Sequence, residues 1–584
     1  MSPAASRIAL SAMLAASFAA TVTTQQRDVP PPVPRATEDS AVVAGTVVTD
    51  DVPAAPVRRA RVTLAGTDSA LERVAFSDDG GRFVFEALPA GRFLLSAAKG
   101  GYLKAVSGAV RPGGSGVPIV IEAHQRSASN VLVLGRGAVI TGTVRTLRGV
   151  PLANATVYAQ RYGFLFGMRV LDDVRDVMPA VSDERGVYRI YGLPPGDYVV
   201  KLAVAPAAAQ SAARLTTAES LERARSGGPP PSSPAPGVTY AASYHPGTAV
   251  PSEATTVTVV AGEERGGIDL PLLRVPTADL TGVVVDPAGR PARGARVALR
   301  PVEFDSPNSF RTGTAVEGAF TLIRNVPGDY LIIAEAASPG SDPDARPSAT
   351  APRTLWARVP ITVNGVDQAG IEVRLQPGSR ISGRVVFEAG SRPALSPGGI
   401  SIQLYETGVS RITNVPSAVT QPDGSFVIEG IPAAPYRIEV RSQSGWMLHS
   451  IAGPGGDLAD MPLDVRAGAD IAGLTVTFTS RTTELAGAVQ SQDGRPIAAY
   501  TVVVFSTNRA FWTGQSRRVR TVRPANDGRF TLSNLPAGEY RLAAVRDVED
   551  GQWFDPSFLS VLVGESIPLT IAEGQQTVQN VVVK

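Results

Sequence analysis

For nucleophilic or metal chemistry the chain offers three histidines, His124, His245 and His449, and no cysteine at all. A catalytic zinc site needs several His, Asp, Glu or Cys side chains converging on one ion, usually at tight spacing. These histidines stand in the runs "HQRS", "HPGT" and "HSIA", far apart in the sequence, and none has a His-x-x-Glu context. Thiolate ligands and disulfides are absent with cysteine. "SAAK" at Ser96–Lys99 has the Ser-x-x-Lys spacing of penicillin-recognising enzymes, but it ends a strand-like run, and neither "SDN" nor "KTG" accompanies it. "DDGG" at Asp78–Gly81 supplies two carboxylates where calcium wants six or more oxygens, so a turn explains it better. No Gly-x-x-x-x-Gly-Lys phosphate loop occurs. The sequence therefore predicts a chain that is not an enzyme and carries no metal or cofactor.

Carbohydrate binding is the more serious chemistry. Sugars pack on aromatic faces beside a few polar groups. Tyr102, Tyr244, Trp356, Trp446 and Trp553 recur at comparable places along the chain, and Trp512 lies in the loop-like run "NRAFWTGQ". Trp356, Trp446, Trp512, Trp553 and Tyr244 are the candidate carbohydrate- or partner-contacting residues. The competing and favoured reading is that these rings cap hydrophobic cores, the ordinary place for a large aromatic side chain.

The elements that would position such rings come from a repeated phrase. "DGRFTLSNLPAGEYRLAA" (Asp527–Ala544) has four relatives upstream. Phe83, Tyr188, Phe320, Phe426 and Phe530 mark the first aromatic, and Phe93, Tyr198, Tyr330, Tyr436 and Tyr540 follow ten residues later. Gly81, Gly186, Gly318, Gly424 and Gly528 precede the first aromatic by two residues. Alternation such as Phe530 and Leu532 against Arg529 and Thr531 is the period-two pattern of a half-buried strand. With the "LPAGE" turn between two such runs, the phrase predicts a β-hairpin that sends both aromatics into a core.

A second signature precedes each phrase. "VVAGTVV", "VITGTV", "LTGVVVD", "ISGRVVF" and "LAGAVQS" each carry a glycine inside a strand, at positions 45, 142, 282, 383 and 487. Such a glycine marks a bulge or a close backbone approach. Alternating closing strands follow, among them Val131–Leu134, Ile371–Leu375 and Val581–Val583. Each unit then holds about seven short strands in roughly 100 residues, the size of a β-sandwich. The units run over 41–134, 135–274, 275–376, 377–480 and 481–584. The second carries an insertion at about 206–237, with "TTAESLERARSGG" as a short helix and "PPPSSPAP" extended.

The five phrases closely resemble the carboxypeptidase regulatory-like domain, a transthyretin- or prealbumin-like sandwich grouped with carbohydrate-binding-like folds. The resemblance spans about Val42 to Lys584. It implies an all-β tandem array of five prealbumin-like (Ig-like) sandwiches, of a kind found as accessories on exported carboxypeptidases, transporters and bacterial surface proteins. The third copy, "IRNVPGDY", moves one residue from turn to strand, and the first has Phe93 in place of tyrosine.

Composition agrees with short strands and frequent reversals: 58 Gly and 48 Pro in 584 residues. Basic and acidic residues number 55 and 53, a balance that argues against a nucleic-acid surface. The one local excess, Arg517, Arg518, Arg520 and Arg523, reads as a solvated face. Arg7 followed by an apolar run from Ile8 to Ala20 reads as a signal peptide over 1–24, with a Pro-rich leader over 25–40. No later run has membrane-spanning length, and the expectation is that the last closing strand ends the fold with no barrel or catalytic domain after it. The expectation is an exported protein, periplasmic, cell-surface or secreted, that binds or scaffolds without catalysis, with glycans or envelope proteins as partners. Five sandwiches in a line would reach on the order of 150 Å at a radius of gyration of ~13 Å each. The alternative is an accessory subunit of a separately encoded exported hydrolase or outer-membrane transporter.

Overall fold

In every unit the first aromatic of the phrase lies directly across from the mid-strand glycine. The computed structural model pairs Gly45 with Phe83, Gly142 with Tyr188, Gly282 with Phe320, Gly383 with Phe426 and Gly487 with Phe530. It describes residues 41–583 apart from 68–69, 204–212, 215–220, 223–224, 227–236, 303–310, 315–316, 338–353, 389–395, 408–414 and 442–444. The expected signal peptide and leader lie outside the described residues.

The glycine strand is the centre of one sheet. In the fifth unit Glu484–Ser491 pairs antiparallel with Arg529–Ser533 on one side. On the other it pairs parallel with the closing strand Val581–Val583. The same parallel closure joins Ala41–Thr49 to Arg126–Leu134 and Ser379–Phe387 to Asp470–Thr479. A side chain at the central glycine has no room in this arrangement. A Cβ at Gly487 would stand 2.0 Å from the Gln579 carbonyl oxygen and 2.7 Å from the Phe530 ring. At Gly142 the obstacle is the Ile268 carbonyl at 2.0 Å, and at Gly282 the Ile371 carbonyl at 2.1 Å. The register of the closing strand shifts beside glycines 45, 282 and 383, so the close approach coincides with a bulge.

The second sheet of the fifth unit runs in the order Val519–Val522, Thr501–Ser506, Gly538–Val545, Ile567–Ile571. The two strands of the repeated phrase therefore belong to different sheets: Arg529–Ser533 to the first, Gly538–Val545 to the second. This corrects the expected hairpin. The phrase is a corner that carries the chain over the core, and the same division holds in the other four units. The physical device is a left-handed residue four places after the first aromatic: Ala87 (φ 55°), Gly192 (77°), Arg324 (58°), Gly430 (71°) and Asn534 (63°). A positive φ there turns the backbone out of its first sheet. The upstream glycines 81, 186, 318, 424 and 528 are left-handed too, with φ between 73° and 83°. Each gives its carbonyl to the same backbone N–H of the glycine strand, as in Val489 N–H to Gly528 at 2.9 Å.

The aromatics enter the core from both sheets. All five first aromatics are buried, and so are Phe93, Tyr198, Tyr436 and Tyr540, while Tyr330 is partly buried. A buried phenol needs a partner for its hydroxyl. The corner supplies it four residues upstream: Tyr198 donates to the Pro194 carbonyl, Tyr330 to Val326 (3.0 Å), Tyr436 to Pro432 (2.9 Å) and Tyr540 to Pro536 (2.7 Å). Phe93 forgoes this bond. Tyr436→Phe should then cost about 1–2 kcal/mol, from the lost bond and the stranded carbonyl. Urea unfolding that shows no loss would remove the hydroxyl from the account of the corner.

Each unit builds its own core: Ala41 to Leu134, Ala138 to Leu272, Ala278 to Leu375, Ile381 to Phe478 and Leu485 to Val581 bound the five clusters. Most of the insertion in the second unit lies outside the described residues. Its described part ends in Gly237–Tyr240, which pairs with Arg274–Pro276 at the junction with the third unit. Residues 221–222 and 225–226 are helical, within the stretch expected as a short helix. A seven-residue helix, Pro556–Leu562, packs Leu559 and Leu562 beside Trp512 in the fifth unit. Its start is written in the sequence as Asp555-Pro556: the Asp555 carboxylate caps the Ser557 N–H at 2.8 Å, and proline takes the first helical position.

The units do not lie in an open line, contrary to the expectation. The fifth touches the first, second and fourth. The backbone N–H of Asn526 donates to the Pro118 carbonyl (3.1 Å), and the Val120 N–H donates to Asn526 Oδ1 (3.2 Å). Arg523 donates to the carbonyls of Ser115 and Gly116. Asp460 of the fourth unit accepts from Arg517 and Arg518 of the fifth, each Nε at 2.6 Å. The arginine run therefore is not a solvated face. All four of its members are half-buried, and three lie in the seams of the fifth unit.

Candidate functional site

Where the first, second and fifth units meet, they enclose a cleft of about 660 Å³. Its second-unit wall is the hairpin Thr156–Leu165 and Met168–Asp173. Phe166 (φ 53°) and Gly167 (φ 84°) form a two-residue turn with both residues left-handed, the turn that suits a tight hairpin. The tip seats against the fifth unit, where a Cβ on Gly167 would stand 2.4 Å from the Phe554 carbonyl oxygen. The reading of the sequence missed this arm. Its signal is Phe166-Gly167 flanked by alternating Tyr162, Phe164, Met168 and Val170.

Ion pairs join the three walls. Arg111 of the first unit meets Asp547 at 2.8 Å and Glu549 at 3.6 Å, and Arg161 of the second meets Glu549 at 3.1 Å. Glu549 of the fifth unit thus bridges the first and second. These side chains keep about a third or more of their surface exposed, so each pair contributes little alone and weakens with salt. Asp197, also in the wall, accepts from the Thr258 hydroxyl at 2.6 Å. Arg169 is exposed and lies over the Tyr162 ring at 4.5 Å, with no ion pair among the described residues. Tyr162 packs in turn against Leu171, Val199 and Tyr244. The Tyr198 phenol lines the floor, and burial pushes it up to about 12, so it stays protonated. The wall offers donors and acceptors side by side. Among the described residues no group of three or more His, Asp or Glu could hold a metal.

The ring residues proposed from the sequence lie elsewhere. Tyr244, Trp446 and Trp512 are buried, at 1%, 2% and 4% exposure, and Trp356 is at 8%. Trp446 packs edge-on against Phe387 at 4.8 Å. Trp512 donates to the Ser506 carbonyl at 2.7 Å and lies between Phe505 and Arg509. Trp356 donates to the Gly430 carbonyl at 2.7 Å, which ties the third unit to the corner of the fourth. Tyr244 sits in the small cluster behind the cleft wall. Burial to this degree leaves Tyr244, Trp446 and Trp512 no open face for a sugar, because packing uses the same ring surface. Trp356 also lines a second cleft, of about 180 Å³, beside Arg358 and Pro432. Trp553 is partly buried beside the Leu559 cluster, and Tyr102 packs on the first core.

Residues 42–122 match the carboxypeptidase regulatory-like domain. The glycine strand, left-handed corner and paired aromatics of that unit recur in the four units that follow. Curated proteins give no match. Solved structures similar to the chain include the Bacillus anthracis TIE protein, at 11% identity and TM-score 0.16, covering 77% of this chain and 74% of that one. A streptococcal ancillary pilin, at 10% identity and TM-score 0.21, covers 58% of this chain and 100% of its own. The minor pilin of Streptococcus agalactiae, at 12% identity and TM-score 0.21, covers 41% and 98%. No described helix is long and apolar enough to cross a membrane.

Proposed function

We propose that this chain is a non-catalytic scaffold and binding protein that acts outside the cytoplasm, with carbohydrate of the cell envelope as its ligand class. One observation carries the reading. What is shared by all five units is spent on folding: aromatics inside the cores, glycines under a neighbouring carbonyl, left-handed corners. Residues that are not shared, such as Arg161 and Arg169 at the cleft and Arg517 and Arg518 at the fourth unit, face a cleft or another unit. A repeated frame with variable surfaces is how tandem modules hold several groups in fixed relation and add weak contacts together. The family match of the first unit supports the same reading.

The purified chain should give no turnover on peptide or glycoside substrates and should give hits on a glycan array. Turnover that survives purification and is abolished by substituting one acidic residue would overturn the non-catalytic part. An array silent for well-folded protein would remove carbohydrate and leave a scaffold for protein partners.

A further inference from the structure

We infer that the cleft between the first, second and fifth units is a binding site for acidic saccharides, with Arg169 as the anchor for a sugar carboxylate. The inference rests on the binding reading above and names its site and ligand class. Arg111 and Arg161 are already engaged by Asp547 and Glu549. Arg169 is the cleft arginine without an ion pair among the described residues, and the Tyr162 ring holds it in place. A guanidinium is the preferred partner of a carboxylate because it can offer two parallel N–H donors. Stacking on tyrosine fixes its plane without using those donors.

The rest of the wall selects against a polyanionic peptide. Asp197, Asp547 and Glu549 balance Arg111, Arg161 and Arg169, so the wall has no net positive charge to draw a run of carboxylates. A uronic-acid chain differs in that each carboxylate is separated from the next by hydroxyl groups. Those hydroxyls can donate to the carboxylates of the wall while the sugar acid reaches Arg169. Gln552, on the fifth-unit side, offers both an amide donor and an acceptor. At Gly196 a Cβ would meet nothing within 4 Å, so the floor there is open to a bulky ring.

The test is calorimetric titration of the full chain with hexagalacturonate, cellohexaose and hexaglutamate. Hexagalacturonate should bind, and Arg169→Gln should weaken it at least tenfold. Arg185→Gln removes the same charge from an exposed site outside the cleft and should leave affinity unchanged. Arg169 is exposed, so its variant should fold, and an unchanged melting temperature verifies that. The proposal fails if both arginine variants lose affinity equally, if cellohexaose binds as tightly, if hexaglutamate binds as tightly, or if hexagalacturonate does not bind. Hits on neutral glycans with no hexagalacturonate binding would sink this site and leave the broader reading standing. Silence on both would sink this site together with the carbohydrate part of the broader reading.

Discussion

Gly487→Ala should unfold the fifth unit or destabilise it by at least about 3 kcal/mol, far more than one added methyl group costs at most sites. The reason is the identity of what the methyl would strike. Its Cβ would stand 2.0 Å from the Gln579 carbonyl oxygen and 2.9 Å from its carbon, both backbone atoms of the segment between the closing strands. A side chain can rotate away; a backbone carbonyl in a sheet moves only if the strand moves. Relief would separate Glu484–Ser491 from Gln576–Val578 and Val581–Val583, which the opening strand pairs in parallel. On the other side, the Phe530 ring stands 2.7 Å from the same position. Gly564→Ala is the matched control. A Cβ there meets nothing within 4 Å, so its change should stay within about 0.5 kcal/mol. Two of the four tryptophans, Trp512 and Trp553, lie in this unit, so fluorescence under urea can follow it. Equal midpoints for the two variants would mean that the close approach is not what requires glycine.

The same glycines show how far a sequence can be read. Period-two alternation and the fixed ten-residue step between aromatics report which side chains share the apolar face, because the face a side chain takes is set by its own strand. Phe426 and Tyr436 lie at 2% and 0% exposure. The glycine at 383 announced a close approach but not its partner, the Leu474 carbonyl ninety-one positions later. Alternation is equally silent on hydrogen-bonding partners. The phrase reads as a hairpin because its turn is short, yet its strands belong to opposite sheets. A left-handed residue decides the matter, and at Ala87, Arg324 and Asn534 that conformation has no glycine to announce it. The cleft was hidden for the same reason. Arg111, Arg161 and Glu549 are ordinary surface charges in sequence, and their proximity exists only once the fifth unit folds back on the first two.

Closure also changes what a scaffold can do. An open line of sandwiches would place its surfaces independently. Here the fifth unit fixes the first, second and fourth relative to one another through different contacts: backbone bonds, exposed ion pairs and a buried one. The exposed pairs at the cleft weaken with salt, while the buried joint is screened much less. High salt should therefore loosen the cleft walls before it releases the fourth unit, which makes the joint at Asp460 the firmer hinge of the array.

Asp460→Asn should release that joint and cost about 3–5 kcal/mol, the range for removing one partner from a buried ionic group. Asp460 is 4% exposed and faces two guanidiniums. Arg517 donates to Oδ1 through Nε at 2.6 Å and to Oδ2 through Nη2 at 3.1 Å, and Arg518 donates to Oδ2 through Nε at 2.6 Å. Arg437 reaches across the same seam to the Gln515 carbonyl and the Thr513 hydroxyl. An asparagine keeps the shape but turns one acceptor into a donor aimed at a cation, and it strands two half-buried positive charges. Burial alone would raise the Asp460 pKa; the two arginines outweigh it and hold the carboxyl below its usual value. The sign of the pH effect follows. A depressed folded pKa means that the joint's contribution is complete above the unfolded carboxyl value of about 3.9 and fades as pH falls through the lower folded value. Acid should therefore mimic the substitution only below about pH 4. Small-angle scattering should show a larger radius of gyration for Asp460→Asn at neutral pH. Proteolysis should cut near Thr513–Arg518, which the joint protects. Adding Arg518→Gln to the variant should recover part of the loss, because one stranded charge is then gone. An unchanged envelope and an unchanged cleavage pattern would mean that other contacts hold the fourth and fifth units together, with the buried pair incidental to the closed array.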